Sequence, residues 1–460
     1  MDVVTALRCS RMSLGRWGAV LLCVLCNVID GLDLLLASFA LPHFPAAFAT
    51  AEEKGFLISL GFAGMAFGSI FIGPLADRIG RKNLIVASLL VSTISLAVTA
   101  ASPWIQLVLL MRFLTGIGVG TVTPLSFVLA DEYASESRRS VCVGIVALGY
   151  PIGSTVGGMI GLFIINSFGG AWQALFLFGA AISFIVFLVA LAFLPESLTF
   201  LVGRAPHGAD ARIARIAARM GLTDVDPAAV PATVEPAAST DTKVGVLAPR
   251  YRRRTWIIWI GYATSSTAFY FVTSWTPQLV STASGSTATG TLVGTILSVG
   301  GFVATIVFIV IVTRVAPTKV SWVAGIIACV AQVAFALTLA NGAAIAAAAL
   351  LGMSLQAVQS AYVASCTRIF PTLIRARAEG LMMGISRVGT ILVPLLVGYI
   401  LSVISPQTMY LSASVFVFIA TGAALMLWLS TRRELVPSGA NASFDAPFAE
   451  ATPSGQRLAE

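Results

Sequence analysis

The sequence predicts an all-α membrane protein of twelve transmembrane helices in two pseudo-symmetric six-helix bundles. Three observations carry this. Of 460 residues, 57% are hydrophobic and only 10% charged, against about 25% charged in soluble domains. Apolar runs of membrane length, about 20 residues, recur along the whole chain. One long polar loop divides them six and six, and the halves repeat one another weakly. Asp131-Glu132-Tyr133 precedes Arg138 after the fourth run, and Arg368-Ile369-Phe370-Pro371 precedes Arg375 after the tenth. One offset aligns Tyr133 with Phe370 and Arg138 with Arg375.

Taken in order, residues 1–16 form a cytoplasmic N-terminal segment. Spans at about 17–41, 55–75, 83–102, 104–130, 140–165 and 173–194 make an N-terminal bundle, 17–194. The first run is longer than a signal-peptide core and carries two aspartates, so it reads as a retained span. Residues 195–254 form a cytoplasmic linker loop. Within it, 208–220 has helical periodicity with Arg212, Arg215 and Arg219 on one face, an amphipathic helix suited to the inner membrane surface. Residues 221–249 read as a flexible linker. Spans at about 255–277, 289–312, 319–340, 342–367, 379–403 and 409–430 make a C-terminal bundle, 255–430. Residues 431–460 form a polar cytoplasmic tail, expected to be disordered.

Net charge is +8, but its placement argues against a nucleic-acid partner. Of the 28 Lys and Arg, all except Lys54, Arg112 and Arg387 fall in segments of one sidedness. That is the positive-inside pattern. It predicts a multi-pass protein of the inner (plasma) membrane with both termini cytoplasmic, in contact with lipid. Six cysteines are scattered, mostly within spans, and suggest no disulfide framework. Cys23 and Cys26 read as small apolar packers. His43 and His207 lie in loops. No metal-ligand spacing and no nucleophile–base arrangement is apparent. The expectation is therefore no enzyme, no catalytic residue, no metal and no cofactor.

The most informative stretch is Asn27-Val28-Ile29-Asp30-Gly31-Leu32-Asp33. Two acids three residues apart share a helix face. A charge at mid-membrane costs about 2.5–3.5 kcal/mol on insertion scales, so such groups face a cavity or a partner. Capping a break at Gly31 or satisfying a neighbouring helix is the plainer alternative to a protonatable pair. A second motif follows span two, Gly73-Pro74-Leu75-Ala76-Asp77-Arg78-Ile79-Gly80-Arg81-Lys82. Its terminal glycines suit a tight turn, and its basic residues anchor the inner side. Span four carries Arg112-Phe113-Leu114-Thr115-Gly116-Ile117-Gly118-Val119-Gly120, with an arginine inside the membrane and glycines for close helix packing. Span five has Gly149-Tyr150-Pro151-Ile152-Gly153. Span six ends in Leu194-Pro195-Glu196-Ser197.

The loop 73–82 resembles the signature loop of the major facilitator superfamily, and the span-four element resembles a second signature of the same superfamily. Asp30-Gly31-Leu32-Asp33, Arg112 to Gly116, Leu194 to Ser197 and Ser274-Trp275-Thr276-Pro277 together resemble the aromatic acid:proton symporter family. Gly384-Ile385-Ser386-Arg387-Val388-Gly389, Pro394 and Gly398 in span eleven agree. The likeness covers 17–430 apart from the 205–250 loop. Span five only partly matches the drug/proton antiporter signature, which weighs against efflux. Two positions depart from pattern. Leu125 stands where that family usually has Asn, and the loop 313–319 lacks the acidic residue of many second signature loops.

The resemblance implies the major facilitator fold, with helices one, four, seven and ten lining a central cavity. It implies proton-coupled import of an aromatic carboxylic acid such as a hydroxybenzoate, by a monomer driven by the proton gradient. Asp30 and Asp33 are the proton-coupling candidates, with Asp33 slightly preferred. An arginine is always charged and grips a carboxylate with two parallel hydrogen bonds. Arg112 and Arg387, one per half, are thus candidate substrate anchors. Arg387 lies about eight residues, or roughly 12 Å, past the start of its span. Tyr262, Tyr270, Gln356 and Gln359 are candidates for an aromatic-polar wall. Gly73, Asp77, Arg78, Gly80, Arg81, Glu132 and Arg138 form the expected conformational latch. Leu125 leaves open a porter for another organic acid or a sugar acid. A transporter-like receptor for aromatic acids is a third reading.

Overall fold

The structure, a computed structural model, describes residues 3–204, 208–222, 246–339, 341–370 and 372–432. Most of the expected linker 221–249, most of the tail 431–460, and His207 lie outside these residues. Twelve long helices stand among the described residues: α1 (Leu14–Ala40), α2 (Ala51–Phe67), α3 (Arg81–Ala100), α4 (Ile105–Tyr133), α5 (Gly149–Ser167), α6 (Trp172–Phe193), α7 (Arg252–Ser284), α8 (Thr287–Ile311), α9 (Pro317–Thr338), α10 (Ala344–Ile369), α11 (Thr372–Ile400) and α12 (Pro406–Arg432). Among the described residues, eleven helices are long and apolar enough to cross a membrane. The remaining one, α7, has 33 residues but is rich in Ser and Thr. Those hydroxyls turn back onto their own helix: Thr267 donates to the Ala263 carbonyl, Thr273 to Phe269 and Thr276 to Val272. A polar composition is thereby satisfied internally.

Packing within each half follows one scheme. In the first half α1 packs on α4, α5 and α6, α2 on α4, and α3 on α4 and α6. In the second half α7 packs on α10, α11 and α12, α8 on α10, and α9 on α10 and α12. Adding six to each helix number converts one of these sets into the other; the close packing of α7 on α8 has no counterpart between α1 and α2. Across the halves, α2 packs on α11 and α5 on α8, the same relation taken in both directions, and α1 meets α7. Tyr133 and Phe370, aligned by the sequence repeat, are both buried rings at the ends of α4 and α10.

Small residues set the helix spacing. A Cβ on Gly31 would sit 2.0 Å from the Tyr150 carbonyl oxygen, and one on Gly153 equally close to that of Val28. The α1 and α5 backbones therefore touch, as small-residue membrane interfaces allow. Pro151 cannot donate an amide hydrogen bond, and the helix is interrupted at Leu148, between Arg139–Ala147 and α5.

The predicted amphipathic segment forms the helix Ala209–Arg219, with Ala209, Ile213 and Ala217 buried. It packs on the short helix Leu198–Arg204. The arginine-rich end of the molecule, to which both helices belong, is called the basic end below.

Candidate functional site

Helix α1 carries both aspartates at mid-length, but their surroundings differ. Asp33 is fully buried and Arg112 is 2% exposed. Arg112 Nη1 donates to Asp33 Oδ1 at 2.6 Å and Nη2 to Oδ2 at 2.9 Å. This is the fork geometry in which guanidinium and carboxylate bind most strongly. Arg112 Nε has no partner. Gly61 makes room for the guanidinium, since a Cβ there would lie 3.3 Å from Nη2. Arg112, expected as a substrate anchor, is thus occupied by Asp33 in this conformation.

Asp30 is half-buried and accepts a hydrogen bond from Thr123 Oγ1 at 3.0 Å. Its counter-charge comes from the other half. The charge of Arg387 on α11 reaches Asp30, and also Tyr150, Tyr262 and Tyr270. The Arg387 guanidinium is half-buried and makes no hydrogen bond or ion pair with any described residue. It stands about four turns past the start of α11 and about ten residues past Arg377, where the membrane-length stretch begins, close to the eight expected from the start of the span. The helix begins at Thr372, well before the apolar stretch does, because backbone hydrogen bonding carries it through Arg375 and Arg377.

The expected wall on α7 and α10 divides in two. Gln359 is committed to Ser266, with Nε2 donating to the hydroxyl at 3.0 Å. Gln356 makes no side-chain hydrogen bond among the described residues. Tyr270 packs edge-on against Phe62 of the first half, with centroids 4.9 Å apart, and against Phe269 at 5.3 Å. Tyr262 is half-buried on the same helix. A recess of about 350 Å³, counting its open mouth, lies between α5, α7, α8 and α10. Tyr150, Ser154, Phe269, Thr273, Leu355 and Gln356 are among its walls. Tyr150 was missed from sequence as a site residue. The only signal was its place in the Gly-Tyr-Pro-Ile-Gly stretch. Thr123 was missed as well.

At the basic end, Arg81 bridges Asp77 at 3.1 Å and Glu132 at 3.5 Å. Glu196, quoted in a motif but given no role, proves central there. Its Oε1 accepts from the backbone amides of Lys82 at 3.0 Å and Ser197 at 2.9 Å, so it satisfies a free donor at the start of α3. Tyr133 Oη donates to the Glu196 carbonyl at 2.5 Å. The turn rests on Gly80, with φ +101°, where a Cβ would meet Glu196 Oε2 at 2.3 Å. Gly73 differs from expectation: it continues the helical path with φ −50°, and a Cβ there would have room, its nearest neighbour 3.7 Å away. Arg78 and Arg138 are exposed and enter no ion pair among the described residues; Arg139 pairs with Asp131 instead. Every partner in this network belongs to the first half or the loop after it.

Hydrogen bonds between the halves lie at mid-depth and toward the end opposite the basic one. Ser38 on α1 donates to the Thr273 and Ser274 carbonyls of α7 at 3.0 and 2.7 Å. Lys54 reaches Gln278 at 3.3 Å, and Ser59 the Ile391 carbonyl at 2.8 Å. Thr155 donates to the Ser298 carbonyl at 3.2 Å, and Thr295 to Gly158 at 3.3 Å. Gly55 and Gly398 meet backbone to backbone. Among the described residues no cross-half hydrogen bond exists at the basic end. The cross-half hydrogen bonds thus hold the two halves together at mid-depth and at the far end.

A duplicated helical bundle with ionisable groups at its centre is the architecture of a membrane transporter, not an enzyme. The chain belongs to the Major Facilitator Superfamily, whose description matches residues 23–372. It is 31% identical over 398 residues to the 4-hydroxybenzoate transporter PcaK of Pseudomonas putida, covering 85% of this chain and 88% of that one. It is 28% identical over 393 residues to a gallate transporter of the same organism, covering 84% and 86%. Among solved structures, the xylose transporter XylE from E. coli, partially occluded and inward open, superposes with a TM-score of 0.70 at 17% identity, covering 91% of this chain and 98% of that one. That likeness speaks to the fold.

Proposed function

We propose that the protein imports an aromatic carboxylic acid, such as a hydroxybenzoate, together with a proton across the inner membrane. The basic end, with both termini, is then cytoplasmic. The observation that carries this reading is the guanidinium of Arg387, without a hydrogen bond or ion pair among the described residues, whose charge reaches Asp30 from the other half. An unpaired cation at mid-membrane is costly and suits an anionic substrate that forms two parallel hydrogen bonds with it. The aromatic faces of Tyr270 and Phe269 suit a flat ring, and the named relatives carry aromatic acids.

Coupling follows from charge balance. While Asp30 is ionised, it compensates Arg387 and repels an incoming carboxylate. When Asp30 takes a proton from outside, the Arg387 charge is released for the substrate. Proton and anion then travel together, and rocking of the halves exposes both inward. Access favours Asp30 over Asp33 as the carrier, reversing the slight preference from sequence, because Asp33 is enclosed with Arg112. The Arg81–Glu132 network and Glu196 stiffen the cytoplasmic end of the first bundle as it rocks. No cofactor or second chain enters this scheme.

The test is uptake of labelled 4-hydroxybenzoate by cells expressing the protein, with and without an uncoupler. Accumulation is expected in untreated cells and equilibration only in treated cells. Asp30→Asn is expected to equilibrate substrate without accumulating it. Uncoupler-insensitive accumulation, or full accumulation by Asp30→Asn, would refute the proton role assigned here.

A further inference from the structure

The recess between α5, α7, α8 and α10 is lined by five side chains that carry a hydroxyl or an amide: Tyr150, Ser154, Thr273, Ser298 and Gln356. Three are already committed to backbone carbonyls. Ser154 donates to Pro151 at 3.2 Å, Thr273 to Phe269 at 2.8 Å and Ser298 to Gly294 at 3.1 Å. The remaining two are not. Tyr150 Oη is buried with no partner, and of all described buried polar side-chain atoms in that condition it alone belongs to this recess. The Gln356 amide makes no hydrogen bond among the described residues. A Cβ on Gly301 would lie 3.8 Å from Gln356 Oε1, so the glycine leaves the amide clear. One free group comes from each half of the molecule.

A buried hydroxyl without a partner is costly, and such groups in native structures call for an explanation. The surrounding walls are Pro151, Phe269, Leu297 and Leu355, apolar surfaces that fit an aromatic ring. Arg387 is not among the lining residues, although its charge reaches Tyr150. The cation is therefore not a wall of the recess that holds the two free neutral groups, and the two features suit different groups of a bifunctional ligand.

The geometry points to Tyr150 and Gln356 as the residues that select for a ring hydroxyl, in a substrate whose carboxylate is held at Arg387. The phenolic hydroxyl of such a substrate accepts from Tyr150 Oη and donates to Gln356 Oε1, satisfying both halves at once. A neutral clamp of this kind discriminates by penalty: an unsubstituted ring leaves the buried Tyr150 hydroxyl unpaired and the half-buried Gln356 amide unused, which is how sites built around a hydroxyl reject the analogue lacking it. The assignment rests on the aromatic-acid reading above and adds the substituent that the site demands.

The experiment measures equilibrium binding of labelled 4-hydroxybenzoate, and its displacement by unlabelled benzoate, to the purified full-length protein in lipid nanodiscs. The wild type is expected to prefer the hydroxylated acid. Tyr150→Phe keeps the ring and removes only the hydroxyl. It is expected to weaken 4-hydroxybenzoate by about 10- to 100-fold and to leave benzoate within about twofold. Gln356→Met, similar in size, is the second arm and is expected to narrow the same preference. Equal weakening of both acids in both variants, or no change in either, would overturn the assignment. If the wild type binds neither acid, the aromatic-acid reading itself falls, and this inference with it. If it binds both acids equally, only the hydroxyl selection falls.

Discussion

Two acid–base pairs stand near the middle of the membrane, and they are built in opposite ways. Asp33 and Arg112 are both buried in the first bundle and joined by two short hydrogen bonds. Asp30 and Arg387 are half-buried, belong to different bundles, and share an electrostatic rather than a bonded contact. A pair within one rigid body keeps its geometry while the bodies rock. A pair spread across two bodies changes with every turn of the cycle. Only the second kind has a charge to lend to a passing ligand. On the function proposed above, two aspartates one turn apart on the same helix divide structure from transport.

The largest expected effect comes from breaking the enclosed pair on one side. Arg112→Leu leaves Asp33 buried without its partner, a change that typically costs 3–5 kcal/mol. The folded yield and the melting temperature in detergent are expected to fall steeply. Replacing both members, Arg112→Leu with Asp33→Leu, removes the stranded charge and is expected to recover most of that stability, since apolar substitutes for buried pairs are often neutral. If the single and double variants melt alike, the pair is not the structural element described here.

Arg387→Gln attacks the other pair and separates stability from binding. Its guanidinium has no bonded partner among the described residues to lose, so the melting temperature is expected to stay close to wild type. Binding of 4-hydroxybenzoate loses a charge-assisted fork, and a fall of roughly 100-fold is expected from hydrogen bonds worth about 1.5–3 kcal/mol each. Arg387→Lys keeps the charge but not the fork and is expected to recover only part of the affinity. Wild-type affinity in Arg387→Gln would place the anion elsewhere and blur the contrast between the pairs.

Much of this architecture was legible in the sequence because membranes impose a strong code. Apolar runs and one-sided arginines gave the twelve helices, and the cost of charge in lipid drew attention to Asp30, Asp33, Arg112 and Arg387. Pairing was not legible. Spacing puts Asp30 and Asp33 on one face, but the register of α4 against α1 decides that Arg112 meets Asp33 while Thr123 meets Asp30. A linear pattern does not contain that register. Glu196 was visible as a motif, yet its partner is an amide at the start of α3, more than a hundred residues away. Gly73 and Gly80 looked equivalent in the loop, and only the backbone angle separates them. Tyr150 went unassigned because a lone tyrosine in an apolar helix has no periodicity. What marks it is the absence of a partner, a property of the folded molecule alone.

The smallest expected effect tests whether the far-end closure is a balance rather than a weld. Pro277 has no amide hydrogen to donate, so the Thr273 carbonyl one turn earlier lacks its helical partner. The buried hydroxyl of Ser38 fills that vacancy and also meets the Ser274 carbonyl. This contact exists only while α1 and α7 are together, so removing it weakens the state in which the far end is closed and no other. Ser38→Ala is expected to shift the equilibrium toward the opposite state by about 0.5–1.5 kcal/mol, roughly two- to tenfold in population. Spin labels on Glu52→Cys and Gln407→Cys, at the far ends of α2 and α12 in a chain whose native cysteines are replaced, report that opening as a distance distribution. Growth of the long-distance population is the expected result. An unchanged distribution means that apolar packing around Phe39 and the contact of Gly55 with Gly398 hold the closure unaided. In that case the substrate, through Arg387 and Asp30, supplies the whole bias between states, and the contrast between the fixed and the shared pair becomes sharper still.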